Sequence, residues 1–212
     1  MDKLTTSFLD NLEFQLTGTN DLTGIPGFVT TKTYLKGRLY SFKDHEFQLD
    51  IVSDTSQEVN AQKISQVGLS EVEARWGLAA VATIPHFSVI YTFPYGQDSE
   101  NFSKTRVQAI VDESPKLKEL ADPNIWNVAI KKLGSGYIYF KGTNSDTAAL
   151  STPADCIIAD EIDRSDPDIL DQYESRLTHS KWQLRRNFST PTVERRGIDA
   201  KMRKSRRYRN LC

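Results

Sequence analysis

The chain has 212 residues, a formal net charge of −1 and 38% hydrophobic residues, which excludes a disordered chain and indicates a folded globular protein. No stretch approaches the roughly 18 apolar residues that a membrane-spanning helix needs, and the first residues lack the layout of a signal peptide. Its two cysteines are too few for a disulfide framework or a four-ligand zinc site, so we expect an intracellular protein. The length has room for one α/β domain or, at most, two small ones.

The N-terminal residues predict one helix and a linker. Apolar residues recur at helical spacing over residues 3–16. A segment from Thr17 to Gly27 follows, with three glycines and one proline, and this composition predicts turns. We therefore assign residues 1–30 to an N-terminal helix and linker.

Strand and helix patterns alternate along the rest of the chain. Strands are predicted at 59–64, 87–93, 136–141, 155–159 and 182–188, and helices at 70–83, 99–113 and 168–178. Glu71 and Glu73 lie in the first turn of the helix that begins at Ser70, where a carboxylate interacts favourably with the helix dipole. The alternation predicts an α/β fold with a mainly parallel sheet and helices on both faces.

The segment KISQVGLS, residues 63–70, has some features of a phosphate-binding loop. Such a loop needs a glycine, backbone amides at a helix N-terminus, a lysine for the phosphates and a hydroxyl for Mg²⁺. Gly68 and Ser70 supply two of these, but Leu69 stands where the lysine usually is, and Lys63 is the cation of the loop. An ordinary strand-to-helix connection is the alternative interpretation of this segment.

Two carboxylates, Asp160 and Glu161, directly follow an apolar run. One carboxylate can hold Mg²⁺ while its neighbour orients or deprotonates an attacking water. An acidic surface turn is the alternative. We favour the metal site because burying apolar residues up to a charged pair is costly unless the pair is solvated or binds a cation. The following acids, Asp163, Asp166 and Asp168, are predicted to form a solvated turn with a helix cap.

A turn of hydroxyl residues follows the last predicted strand. It consists of Ser189, Thr190, Pro191 and Thr192. Hydroxyl groups at this place could sense a γ-phosphate and relay its loss. A phosphate loop, an acidic strand end and a hydroxyl turn, in this order, are the layout of a P-loop ATPase.

Together these segments resemble the ATPase part of the large terminase subunit of tailed phages, the motor that packages viral DNA. KISQVGLSE resembles the lambda-like variant of the phosphate loop, in which the lysine stands at the start of the loop. ADEIDRSDPDILDQYESRL resembles the Walker B segment, and NFSTPTVERRGI resembles the coupling motif. YSFKDHEFQ, residues 40–48, resembles the adenine-recognition segment. The resemblance extends over residues 30–210.

This resemblance implies a RecA-like P-loop NTPase fold for residues 31–194 and a role for each site residue. Lys63 would contact phosphates together with Gln66, Val67, Gly68, Leu69 and Ser70, while Phe42 would stack on adenine and Gln48 would read its edge. Ser70 and Asp160 would coordinate Mg²⁺, and Glu161 would activate water. Residues 189–192 would couple hydrolysis to DNA movement. Arg106 is our candidate for an arginine finger, because Ser65 and Gln66 stand where some family members have an arginine.

The resemblance also implies partners. They are ATP and Mg²⁺, double-stranded viral DNA, a small terminase subunit, a portal protein and further copies of the chain in a ring, in the host cell cytoplasm and without a membrane. Residues 195–212 carry eight Lys or Arg and one acid, and could bind phosphates or form a solvated segment. We expect them to lead into a nuclease domain outside this chain, so nuclease activity is not expected here.

Two other functions are kept as alternatives. A superfamily-two helicase-like ATPase would also use Asp160 and Glu161, but it needs a second RecA-like domain. A truncated fragment that binds nucleotide or DNA without turnover is the other, because the usual lysine of the loop is absent.

Overall fold

A computed structural model of the chain describes residues 21–144 and 152–205. The helix predicted at 3–16 lies outside these residues. The helices are α1 Ile25–Lys32, α2 Phe47–Ser53, α3 Leu69–Thr83, α4 Gly96–Phe102, α5 Gln108–Glu113, α6 Pro115–Leu120, α7 Pro167–Glu174 and α8 Gly197–Lys204. The strands are β1 Tyr34–Leu35, β2 Arg38–Leu39, β3 Glu58–Gln62, β4 Ser88–Phe93, β5 Ala121–Trp126, β6 Ile130–Leu133, β7 Gly136–Gly142, β8 Cys156–Asp160 and β9 Leu184–Ser189.

Seven of these strands form one sheet in the order β3-β9-β8-β4-β7-β6-β5, and β1 and β2 form a separate hairpin. Strands β3, β9, β8, β4 and β7 run parallel, whereas β6 and β5 are antiparallel at one edge. The prediction of an α/β fold with a mainly parallel sheet is therefore confirmed. The order also places β9 between β3 and β8, so the three segments predicted to form the site leave neighbouring strands.

The central strands are buried on both faces of the sheet. In β8, Cys156 and Ile158 pack into the larger core with α1, α2 and α3, while Ile157 and Ala159 pack into a smaller core with α7 and α8. Successive side chains of a strand point to opposite faces, so a strand between two helical layers is apolar throughout. This explains why β8 is an uninterrupted apolar run up to Asp160.

Helix α1 begins at Ile25, within the segment predicted as turns, so that part of the prediction is wrong. Pro26 stands in the first helical turn, where its fixed φ suits the helix and its missing N–H removes no hydrogen bond. Phe28 and Val29 are buried against the core. Burial of this apolar face, which local composition does not report, stabilises the helix.

Several described elements were not predicted, among them α2, α6, β5 and α8. Helix α8 lies in the basic C-terminal segment, and Ile198 at its start is fully buried in the smaller core. Its basic side chains are partly paired: Arg203 binds Asp199 at 2.8 Å, and Lys201 lies 3.4 Å from Glu174. The segment therefore packs on the sheet as far as Lys204.

A buried ion pair joins α3 to β9. Arg186 donates from Nε to Glu73 Oε2 at 2.7 Å and from Nη2 to Glu73 Oε1 at 2.9 Å, and its guanidinium lies 4.3 Å from the centre of the Trp76 ring. Arg186 Nη2 also donates to the carbonyl oxygen of Ile51 in α2. Glu73 therefore serves a tertiary contact, and the interaction with the helix dipole predicted for it is not its main role.

We expect Glu73→Gln to lower the free energy of unfolding by about 3–5 kcal/mol, because it leaves Arg186 as an uncompensated buried charge. Urea unfolding followed by circular dichroism measures the loss. The double variant Glu73→Met/Arg186→Met is the control, and it should recover most of the stability because no unpaired charge remains. Equal stability of Glu73→Gln and the unsubstituted chain would contradict this expectation.

Candidate active site

Three chain segments meet at the carboxyl end of the parallel strands. The backbone N–H of Lys63, directly after β3, donates to the carbonyl of Ser189 at 3.0 Å. The backbone N–H of Glu161, directly after β8, donates to the carbonyl of Phe188 at 2.9 Å. Strand β9 therefore fixes the phosphate loop on one side and the acidic strand end on the other. This edge is where open α/β sheets bind ligands.

Lys63 lies between the two carboxylates. Its Nζ is 3.2 Å from Asp160 Oδ1 and 2.9 Å from Glu161 Oε1, and its side chain is 11% exposed. Although burial disfavours its charge, the two carboxylates hold the pKa of Lys63 above its ordinary value. The amine is thus a cation at the point where two neighbouring carboxylates converge.

Asp160 is 1% exposed and also contacts the first turn of α3. Ser70 Oγ donates to Asp160 Oδ2 at 2.5 Å. Burial raises the pKa of Asp160 to about 6, although the charge of Lys63 and the hydrogen bond from Ser70 oppose the rise. A nearby cation would stabilise the charged form of this buried carboxylate. A carboxylate beside a serine hydroxyl is a donor set that suits Mg²⁺, which takes oxygen ligands and usually keeps several waters.

Tyr91 supports this pair from behind, and sequence reasoning did not single it out. It is fully buried on β4, and its hydroxyl donates to the carbonyl of Ser70 at 3.3 Å. Burial and the negative charge of Asp160 raise the pKa of Tyr91 well above its ordinary value. Because Tyr91 lies within an apolar strand, its sequence context indicates only a packing residue.

The phosphate loop turns into α3 at Gly68, which has φ +75° and is the N-cap of the helix. A Cβ at this position would lie 2.9 Å from Gln48 Nε2. Leu69 is buried in the core, so it contributes only its backbone to the loop. The first amides of a helix have no partner within it and attract anions. These amides are those of Leu69 and Ser70, and a phosphate contact of residues 66–70 stays a prediction.

Gln48 and Phe42 lie beneath the loop and are buried. Gln48 Nε2 donates to the carbonyl of Val67 at 2.9 Å, and Tyr40 donates its hydroxyl proton to Gln48 Oε1 at 2.6 Å. Phe42 packs edge-on against the Tyr40 ring, with 5.4 Å between the centroids. In this conformation Gln48 supports the loop directly, Phe42 packs on Tyr40, and the contact of both with adenine stays a prediction.

Glu161 lies at the mouth of a pocket of about 180 Å³. The pocket is lined by Ser65, Glu161, Arg164, Thr190 and Thr192. Glu161 has φ +56° and ψ +46°, the left-handed region that is costly for a residue with a Cβ and that is often found at functional sites. Its side chain is 28% exposed, so solvent can reach the Glu161 carboxylate, whereas the neighbouring carboxylate of Asp160 is buried.

The arginine of this pocket is Arg164, which the sequence analysis passed over. It ends the 3₁₀ turn Ile162–Arg164 that follows Glu161, and it is exposed. Arg106, the predicted arginine finger, lies in the π-helical turn Ser103–Val107 and is not among the residues that line the pocket. Its contact with a neighbouring subunit stays a prediction. A basic residue three positions after Glu161 was the available signal for Arg164.

The hydroxyl turn is joined to the acidic strand end through Asp163. Ser189 is fully buried and its Oγ accepts from the backbone N–H of Asp163 at 3.3 Å. Thr192 donates from both its backbone N–H and its Oγ1 to Asp163 Oδ2. The prediction of a helix cap among these acids is confirmed for Asp166, which caps α7. Asp163 lies half-exposed in this turn, and its carboxylate also accepts hydrogen bonds from the protein.

Metal and membrane features were searched in residues 21–144 and 152–205. Over these ranges, three or more His, Cys, Asp or Glu side chains nowhere cluster as a metal would require. The helices of the same ranges include none with the length and apolar character of a membrane span.

Comparisons with known proteins identify a family and a similar fold. The family of the phage terminase large subunit gpA, ATPase domain, matches residues 46–210. The crystal structure of the HK97 bacteriophage large terminase is similar with a TM-score of 0.72 and 13% identity, covering 83% of this chain and 39% of that one. This likeness shows the fold, and the chain spans well under half of the HK97 protein. None of the curated proteins matches. Because the family match covers well over half of its length, the chain belongs to the family of phage terminase large subunit gpA ATPase domains.

Proposed function

We propose that the chain hydrolyses ATP as the motor subunit of a viral DNA-packaging terminase and couples hydrolysis to translocation of double-stranded DNA into a procapsid. The observation that carries the proposal is the convergence of Lys63, Asp160 and Glu161, with Ser70 bound to Asp160. These groups come from segments about ninety residues apart and meet where a P-loop ATPase binds its triphosphate. Family membership adds that the domain is of an ATPase type.

The site residues fit ATP with Mg²⁺. Ser70 and Asp160 would hold the metal, and the amides of Gly68, Leu69 and Ser70 would bind phosphate oxygens. Bound Mg²⁺ would neutralise charge that develops on the phosphate oxygens. Lys63, now paired with carboxylates, has a side chain that a triphosphate would attract by its larger negative charge.

Release of Lys63 toward the phosphates would free Glu161 Oε1 from its ion pair. The carboxylate would then accept a hydrogen bond from water in the pocket and orient that water for attack. Thr190 and Thr192 line the same pocket and would report the state of the terminal phosphate. The ion pair therefore holds the base inactive until a triphosphate arrives.

Arg164 would supply positive charge to the terminal phosphate from within the same chain. It lines the pocket of Glu161, and an arginine at this place can stabilise the transition state. We expect Arg164→Ala to lower kcat by about 10²-fold or more with little change in ATP affinity, measured by phosphate release and by a fluorescent ATP analogue. Arg176→Ala, on the 3₁₀ turn Ser175–Leu177, is the matched control and should keep the unsubstituted rate. Equal rates in the two variants would contradict this role.

The wider assembly belongs to the same proposal. The partners would be viral DNA, the small terminase subunit, the portal protein and further copies of the chain in a ring, within the host cell cytoplasm. Residues 31–194 would form the ATPase domain, and residues 195–212 would lead to a nuclease domain. The resemblance of the coupling motif and the basic composition of the last segment support these assignments.

A glycine pair in the chain tests the phosphate loop. Gly68→Ala places a Cβ 2.9 Å from Gln48 Nε2 at φ +75°, whereas Gly37→Ala has a similar φ of +73° with open space around its Cβ. We expect Gly68→Ala to weaken ATP binding by about tenfold or more, because the loop must move away from its phosphate-binding shape. Gly37→Ala carries the backbone strain alone and should bind ATP as the unsubstituted chain does.

Binding is measured by titration with a fluorescent ATP analogue in Mg²⁺, and turnover by phosphate release with and without DNA. Equal weakening by both glycine variants would mean that strain, not the loop, is responsible. Absence of ATP binding by the unsubstituted chain would overturn the proposal. Binding without turnover under all conditions would favour the fragment that binds nucleotide without hydrolysis.

A further inference from the structure

We infer that Asp163 is a positioning residue that transmits the state of the nucleotide site to helix α8, and this inference rests on the function proposed above. Asp163 lies two residues after Glu161, in the 3₁₀ turn Ile162–Arg164. Its side chain does not line the pocket of Glu161. It acts through the two segments that its carboxylate holds.

The two carboxylate oxygens of Asp163 bind different segments. Oδ2 accepts from the backbone N–H of Thr192 at 2.8 Å and from Thr192 Oγ1 at 3.0 Å. Oδ1 accepts from the backbone N–H of Ile198, in the first turn of α8, at 2.8 Å. One side chain therefore ties the acidic strand end to the hydroxyl turn and to the helix that ends the described chain.

The backbone of Gly197 lies directly against this carboxylate. Gly197 has φ +49°, and a Cβ there would lie 2.3 Å from Asp163 Oδ1. The backbone N–H of Asp163 also donates to Ser189 Oγ at 3.3 Å. A displacement of Glu161 or of Thr192 is thus passed to α8 through short hydrogen bonds, because the start of α8 sits directly on the carboxylate.

The two acceptor oxygens of the carboxylate make this link specific to aspartate. The carboxylate accepts three hydrogen bonds on two oxygens, whereas an asparagine side chain offers one acceptor oxygen and one donor group. Asp163→Asn can therefore hold Thr192 or Ile198 but not both. The variant keeps the side-chain volume and removes the connection.

Asp166 provides a matched control six residues after the end of β8. It caps α7 with a single oxygen, Oδ1, which accepts from the backbone N–H groups of Asp168 and Ile169. Asp166→Asn retains an acceptor oxygen for this cap. It therefore changes the same charge in the same acidic segment without breaking a link between the site and α8.

The experiment is hydrogen exchange measured by mass spectrometry on the chain, with and without a non-hydrolysable ATP analogue and Mg²⁺. In the unsubstituted chain we expect the analogue to slow exchange in the phosphate loop, residues 63–70, and to change exchange in α8 by about threefold or more. In Asp163→Asn the loop should still respond while the response of α8 is lost. Asp166→Asn should respond in both places.

A second variant guards against a purely structural effect. Thr192→Ala removes the bond from Oγ1 to Asp163 and leaves the contact of Asp163 with Ile198 intact, so α8 stays capped. We expect it to weaken the response of α8 without faster exchange of α8 in the absence of nucleotide. A loss of the helix cap alone would instead speed exchange in both states equally.

The outcomes separate the two proposals. A response of α8 in Asp163→Asn equal to that of the unsubstituted chain would overturn this inference and leave the ATPase proposal standing. The same holds if the phosphate loop of the unsubstituted chain responds to the analogue and α8 does not. If the loop itself fails to respond, the proposed function is overturned and this inference with it.

Discussion

Replacing Glu161 with glutamine is expected to lower kcat for ATP hydrolysis by about 10²–10⁴-fold while ATP still binds, because the group that orients and deprotonates water is lost. The amide keeps the size of the side chain, and the ion pair with Lys63 disappears. Lys63 then keeps only Asp160 as an ion-pair partner and is held less tightly away from the phosphates, so the affinity for ATP should stay equal or rise. Phosphate release under saturating ATP measures kcat, and titration with a fluorescent analogue measures affinity.

Glu119→Gln is the control for this substitution. Glu119 forms an exposed ion pair with Lys116 on α6, away from the phosphate loop, so its loss should leave both kcat and affinity unchanged. A Glu161→Gln chain with the unsubstituted rate would contradict the role of Glu161 as the base. Equal loss of ATP affinity and rate would instead indicate that Glu161 holds the site together.

Replacing Lys63 with methionine is expected to lower kcat by about 10²–10³-fold and to weaken ATP binding, because the proposed donor to the phosphates is lost. The variant should also show a second effect. Without the amine, the carboxylates of Asp160 and Glu161 face each other with no cation between them. Mg²⁺ alone should then raise the melting temperature of the variant more than that of the unsubstituted chain.

Lys132→Met is the matched control, since Lys132 pairs with Asp122 at 2.9 Å at the opposite edge of the sheet. It should leave ATP binding, kcat and the effect of Mg²⁺ unchanged. Full activity of Lys63→Met would contradict the proposed role of Lys63 as the lysine that contacts the phosphates. An equal response of both variants to Mg²⁺ would argue against a cation position between the carboxylates.

These two results would distinguish the proposed motor from the alternatives. A fragment that binds nucleotide without turnover would lose ATP affinity in Lys63→Met. Its rate of ATP hydrolysis would be the same background rate with and without Glu161→Gln. The variants therefore test binding and chemistry separately. The proposed partners, the small terminase subunit and the portal protein, can be added to the same assays.

Local patterns predicted much of the fold. Three elements follow from short local patterns. The apolar run before Asp160 predicts β8, the helical spacing after Gly68 predicts α3, and the aromatic and β-branched residues of β4 predict a strand. The patterns failed where local composition and burial disagree. At the start of α1, Gly24, Pro26 and Gly27 suggest turns, whereas burial of its apolar side chains in the core stabilises a helix.

For the candidate site, too, some features follow from local sequence and others only from the tertiary structure. The sequence alone determined which residue types stand at the ends of the strands, because a glycine, an acidic pair and a hydroxyl turn are visible as short motifs. Only the tertiary structure decided that Lys63 lies between the carboxylates, that Glu73 pairs with Arg186 and that Asp163 joins Thr192 to α8. The physical reason is strand order. Neighbouring strands bring together residues that are distant in the chain, and no local period encodes which strand becomes whose neighbour.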